Sequence, residues 1–125
     1  MSNSYFTLKK LGGSKFKNPK SSLQKMTNLL KSTGEPGRFQ FQILKGEKAS
    51  VFHIEVEGKS SKLYDEKTDR PTFEIITSEE TWLEIAGGKL SPLKAFVQNK
   101  MRVRGNVEAG QRFLIQFAGP GKTSK

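Results

Sequence analysis

The sequence predicts a single α+β domain with a mostly antiparallel sheet of five strands. Three observations carry this. Short apolar–polar alternations cluster between Arg38 and Thr77; the repeat lengthens to helical spacing after Thr77; and one more alternating run, Lys100 to Gly105, interrupts the helical half. Strands grouped ahead of helices belong to an α+β arrangement rather than to a doubly wound parallel sheet. A chain of 125 residues is one domain, large enough to bury a core without cross-links.

The elements follow in order. Residues 1–20 are rich in Lys, Gly, Ser and Asn, and Tyr5, Phe6, Leu8, Leu11 and Phe16 keep no period among them, so this stretch reads as a basic, loosely ordered arm. The folded domain is expected over residues 21–118 and a flexible tail over 119–125. Ser21 or Ser22 caps a helix running to about Lys31, with Leu23, Met26, Leu29 and Leu30 on one face. Gly34, Pro36 and Gly37 end it. Phe39, Phe41 and Ile43 then alternate with Gln40 and Gln42, and Phe52, Ile54 and Val56 alternate with Val51, His53 and Glu55, giving two half-buried strands. A shorter strand spans Ser61 to Tyr64 and a fourth spans Thr72 to Thr77. The short connections between them imply an antiparallel meander. Thr77 with Glu80 has the form of a capping box, opening a helix with Trp82, Leu83, Ile85 and Ala86 that Gly87-Gly88 closes. Ser91-Pro92 opens another, with Leu93, Phe96 and Val97. After the fifth strand, Asn106 caps a last helix. Phe113, Ile115 and Phe117 also alternate, so a strand remains an alternative there.

Charge is unevenly spread. Residues 1–34 hold seven lysines and no acid, whereas residues 35–125 hold fifteen Lys+Arg against 12 Asp+Glu, within a net charge of +10. The basic N-terminal stretch suits an anionic membrane surface or a nucleic acid. With no cysteine there is neither a disulfide nor a thiolate metal site. No apolar run approaches the length of a membrane span, and Met1 to Leu11 has no signal-peptide pattern.

Catalytic constellations are not visible. The single histidine, His53, falls at an outward strand position without evident carboxylate partners, which gives neither a metal site nor a catalytic triad. Asp65-Glu66 belongs to a loop, Glu79-Glu80 to a helix N-terminus that favours negative charge, and Glu55 with Glu57 to an exposed strand face. Gly119-Pro120-Gly121-Lys122-Thr123 imitates the end of a phosphate-binding loop, but Gln116 stands where the first glycine is required. No cofactor is expected and the chain reads as non-enzymatic.

The stretch from Phe73 to Phe113 is the most informative. It runs Phe73-Glu74-Ile75-Ile76-Thr77, Glu80-Thr81-Trp82-Leu83-Glu84-Ile85, Ala86-Gly87-Gly88-Lys89-Leu90-Ser91-Pro92, Ala95-Phe96, and Lys100-Met101-Arg102-Val103-Arg104-Gly105-Asn106. In order and spacing these pieces resemble the sterol carrier protein type 2 domain family, and the resemblance extends over residues 22–117. It implies helices packed on one face of the sheet, enclosing an apolar tunnel for a fatty acid, acyl-CoA, sterol or phospholipid, with no catalysis. By position, it implies a tunnel lined by Trp82, Leu83, Ile85, Ala86, Leu90, Phe96, Val97, Met101, Val103, Leu114 and Phe117. Lys100, Arg102 or Arg104 would meet a headgroup. The chain departs from the family at Val107–Phe117, where Gly110 sits in what should be an amphipathic helix. It also ends at Ser124-Lys125, without the Ser-Lys-Leu type signal of peroxisomal members, so a cytoplasmic location is expected.

Lipid binding and transfer, with transient contact between the Lys-rich arm and anionic membranes, is therefore the leading expectation. A basic nucleic-acid-binding module and an accessory domain delivering an apolar substrate to a partner enzyme are the alternatives.

Overall fold

The computed structural model describes residues 18–30 and 35–118. The expected tail and nearly all of the expected arm lie outside them. The elements are α1 (Pro19–Leu30), β1 (Gly37–Lys45), β2 (Lys48–Glu57), β3 (Ser60–Tyr64), β4 (Phe73–Ser78), α2 (Glu79–Ala86), α3 (Pro92–Val97), β5 (Met101–Gly105) and α4 (Val107–Ala118). The fold is α+β, an open five-stranded sheet in the order β3-β2-β1-β4-β5.

The meander holds for three strands and then breaks. β1–β2 and β2–β3 are antiparallel, but β4 lies on the far side of β1 and runs parallel to it, Phe41 opposite Ile75. β5 returns antiparallel to β4. The crossover uses the loop 65–72, which lies on the sheet face away from the helices. There Thr68 N–H donates to Gln40 Oε1 (2.7 Å), and Gln40 Nε2 donates to Glu74 Oε2 (3.0 Å). This covering corrects the reading of His53 as outward. Its ring is only 6% exposed, stacks on Tyr64 at 4.7 Å and donates from Nδ1 to the Glu66 carbonyl (2.7 Å). Alternation gave the correct face, but at His53 that face is covered by the loop rather than by solvent.

The other face carries the core. Phe39, Phe41, Ile43, Phe52, Ile54, Val56, Phe73 and Ile75 project from the strands as alternation requires, and all are buried. Phe39 and Phe73 stack at 4.9 Å, a contact that the parallel β1–β4 pairing makes possible. Phe113 of α4 sits 5.2–5.6 Å from Phe39, Phe73 and Phe41, and Trp82 of α2 lies 5.5 Å from Phe41. Leu23, Met26 and Leu30 of α1 complete the layer.

Caps account for the helix limits. α1 begins three to four residues earlier than a cap at Ser21 or Ser22 would place it. Asn18 Oδ1 accepts from Ser21 N–H (2.9 Å), and Pro19 takes the first position, where its missing N–H costs nothing. Ser22 is consequently free of capping and fully buried; it accepts from Trp82 Nε1–H (2.8 Å) and donates to the Pro19 carbonyl (2.7 Å). The cap of α2 is Ser78 rather than Thr77: its Oγ accepts from Thr81 N–H (3.1 Å), while Thr77 stays in β4 and donates to the Lys100 carbonyl (2.8 Å). Both α2 and α3 close with a residue in the left-handed region, Gly88 (φ 81°) and Asn99 (φ 61°), and with paired carbonyl contacts from the residues beyond.

The last segment is a helix. Asn106 Oδ1 accepts from Ala109 N–H (3.0 Å), as the cap reading requires. Ala109, Gly110, Phe113 and Leu114 make its buried side and Ile115 is exposed, so the apparent strand alternation there is incidental. Gly110 is explained by proximity: a Cβ at that position would come 2.9 Å from Val103 Cγ1, so glycine lets α4 lie directly on β4 and β5.

Candidate functional site

The site is assembled from α3 and β5. Ser91 Oγ accepts from Lys94 N–H (3.2 Å) and Pro92 opens the helix, so this short helix starts where Ser-Pro dictates. Pro92 and Ala95 face inward and are buried. Phe96 is half-buried, whereas Leu93 and Val97 are 55% and 70% exposed. Asn99 then turns the chain, with Lys100 N–H donating to the Ala95 carbonyl (2.8 Å), and β5 begins.

β5 is an edge strand with β4 as its sheet neighbour. Its alternation separates two chemistries. Met101 and Val103 pair opposite Thr77 and Ile75 on the helix-bearing face; Arg102 and Arg104 pair opposite Ile76 and Glu74 on the other. A half-open pocket of ≈ 690 Å³ is lined by Phe96, Val97, Asn99, Met101, Arg102, Val103 and Arg104. Since residues from both faces of β5 line it, the pocket wraps around the strand's free edge. One wall is apolar and the other carries two guanidinium groups. Arg104 Nη1 lies 3.8 Å from Glu74 Oε1, and Arg102 has no ion-pair partner among the described residues.

The expected site residues fall into two groups. Phe96, Val97, Met101 and Val103 are brought together at this pocket. Trp82, Ile85, Ala86 and Leu114 are buried away from it, at 0–5% exposure, and Leu83 and Leu90 are half-buried against the core. The aromatic cluster fills the centre of the layer between the sheet and α1, α2 and α4. The side chain of Phe117 lies outside the described residues. Of the three basic residues expected near a headgroup, Arg102 and Arg104 line the pocket. Asn99 is an addition that periodicity gave no reason to select; its signal is only that asparagine tolerates a left-handed turn.

An apolar and cationic pocket beside an α+β core is the geometry on which the comparisons bear. The profile of the SCP-2 sterol transfer family matches residues 16–114. The chain belongs to this family. As an SCP-2 domain it binds and transfers lipid. It is 29% identical over 70 residues to hydroxysteroid dehydrogenase-like protein 2 of Rattus norvegicus, covering 55% of this chain and 13% of that protein. It is 30% identical over 79 residues to peroxisomal multifunctional enzyme type 2 of Mus musculus, covering 62% and 11%. The chain thus spans a small part of these curated relatives. Among solved structures, palmitated SCP2L2 from Aedes aegypti superposes with a TM-score of 0.65 at 14% identity, covering 78% of this chain and 91% of that one. Apo sterol carrier protein 2 from Yarrowia lipolytica does so with a TM-score of 0.56 at 16% identity, covering 74% and 79%. These likenesses concern the SCP-2 fold. No helix among the described residues is long and apolar enough to cross a membrane.

Proposed function

We propose that this SCP-2 domain carries a single-chain anionic lipid, of the fatty-acid class, with its tail against Phe96, Val97, Met101 and Val103 and its acidic head at Arg102 and Arg104. The observation that carries the reading is the composition of the α3–β5 pocket, apolar from one face of β5 and cationic from the other. Its ≈ 690 Å³ falls in the usual range for a small-molecule site. Each methylene removed from water contributes about 0.8 kcal/mol without demanding a particular shape, which suits an acyl chain. Arginine is the side chain best matched to a carboxylate or phosphate, through parallel N–H donors. That palmitate accompanies one structural neighbour accords with this choice.

We further propose that the domain does no chemistry on its ligand. The pocket lining offers an amide and two guanidinium groups as its polar functions, and neither is a nucleophile or an acid–base group near neutral pH. The cargo would leave as it entered, in the cytoplasm or handed to a partner enzyme.

Titration with a fluorescent fatty acid tests the reading. Saturable binding is expected, with Arg102→Glu weakening it at least about tenfold, since it replaces an attraction by a repulsion at one headgroup contact. Equal affinity for the fatty acid and its methyl ester would count against the arginine wall, and absence of saturable binding against the site.

A further inference from the structure

We infer that the domain docks on anionic bilayers through the outward side of α3, so that the pocket mouth faces the membrane. This rests on the α3–β5 pocket as the lipid site and adds the surface that loads it.

Leu93 and Val97 are successive-turn neighbours on one side of α3, 55% and 70% exposed, the two most exposed large apolar side chains among the described residues. Val97 is also a wall of the pocket, so the apolar surface continues from outside into the cavity. Along the stretch of chain that carries this surface the charge has one sign. Between Glu84 and Glu108 the chain carries Lys89, Lys94, Lys100, Arg102 and Arg104 and no carboxylate. Arg104 alone of these has an acidic partner among the described residues, and Lys89, Lys94, Lys100 and Arg102 are exposed.

An aliphatic tip inside a cationic collar matches a bilayer of anionic lipid: leucine and valine enter the acyl boundary while lysines meet headgroups. A second copy of this surface would bring like charges together. A single-stranded nucleic acid would match the charge, but the exposed tip holds no aromatic ring on which a base could stack. The geometry also removes a barrier, because a fatty acid could pass from bilayer to pocket along Val97 without crossing water.

The test is co-sedimentation of the full chain with phosphatidylcholine vesicles, with and without phosphatidylserine. The variants are Leu93→Ser and Lys89→Glu/Lys94→Glu, none of which lines the pocket. Binding to the anionic vesicles alone is expected, and each variant should weaken it by roughly tenfold or more. The Lys9, Lys10, Lys15 and Lys17 to Gln variant should keep most of it. Variants that sediment like wild type, or binding lost entirely with those four N-terminal lysines, would overturn the inference. So would retention of a single-stranded oligonucleotide in place of vesicles. Fatty-acid titration without vesicles is run on the same proteins: unchanged affinity in the variants with lost sedimentation supports docking. Wild type that sediments without taking up fatty acid refutes the pocket reading and leaves the docking surface supported.

Discussion

Ser22 and Trp82 join two helices through one buried hydroxyl. The indole N–H donates to Ser22, which donates onward to the Pro19 carbonyl, all within 2.8 Å contacts of fully buried groups. Ser22→Ala leaves the indole donor buried without an acceptor, a cost of about 1–3 kcal/mol. Urea unfolding is expected to report a fall of that size, and Trp82→Phe with Ser22→Ala together should lose less than the two single changes added. At this scale the sequence was legible where a side chain answers to its own period. Phe39, Phe41, Ile54 and Phe73 alternate and are buried, and Met101 and Val103 alternate and reach the pocket. It was not legible where burial comes from a distant segment. His53 is covered by a loop thirteen residues on, and Ser22 serves a tryptophan sixty residues away, pairings that local periodicity does not encode.

The helices illustrate what end signals convey. Ser91-Pro92, Gly87-Gly88 and Asn106 each stand where the helix boundary falls, because a hydroxyl or amide acceptor and a left-handed residue act over a single turn. Where two candidates adjoin, as Thr77 and Ser78 do, the strand register decides: Thr77 is held in β4 opposite Met101, which leaves Ser78 to cap. Gly110 is the reverse case, a residue that weakens the helix pattern for a reason lying in another element. In Gly110→Ala, the helix-propensity gain of about 1 kcal/mol competes with an overlap on Val103 that typically costs about 1–3 kcal/mol. With Cβ only 2.9 Å from Val103 Cγ1, overpacking is expected to prevail. A lower denaturation midpoint would report it, and Val103→Ala in the same chain should restore part of the loss by making room. An unchanged midpoint for Gly110→Ala would mean that α4 yields freely.

For the whole molecule, the α+β class and five strands followed from grouped periodicities, but the strand order did not. Nothing local to β3 or β4 says that the chain passes over the sheet's outer face and pairs in parallel with β1, because that choice is made by Gln40, Glu74 and Thr68 meeting across long separations. A ligand that binds only the folded form raises its stability by mass action, about 2.7 kcal/mol at a hundredfold excess over Kd. For a domain of this size the thermal midpoint is expected to rise by on the order of 10 °C with a saturating fatty acid. Arg102→Glu should keep the unliganded midpoint, since that side chain is exposed and unpaired, and lose most of the rise. The place of the pocket matters as much as its lining. β5 is held by one strand neighbour and by short helices, at the opposite end of the sheet from β3. A bulky cargo can therefore spread this margin like the flap of an envelope while the aromatic centre keeps its packing, so that admission strains the rim of the protein and spares its heart.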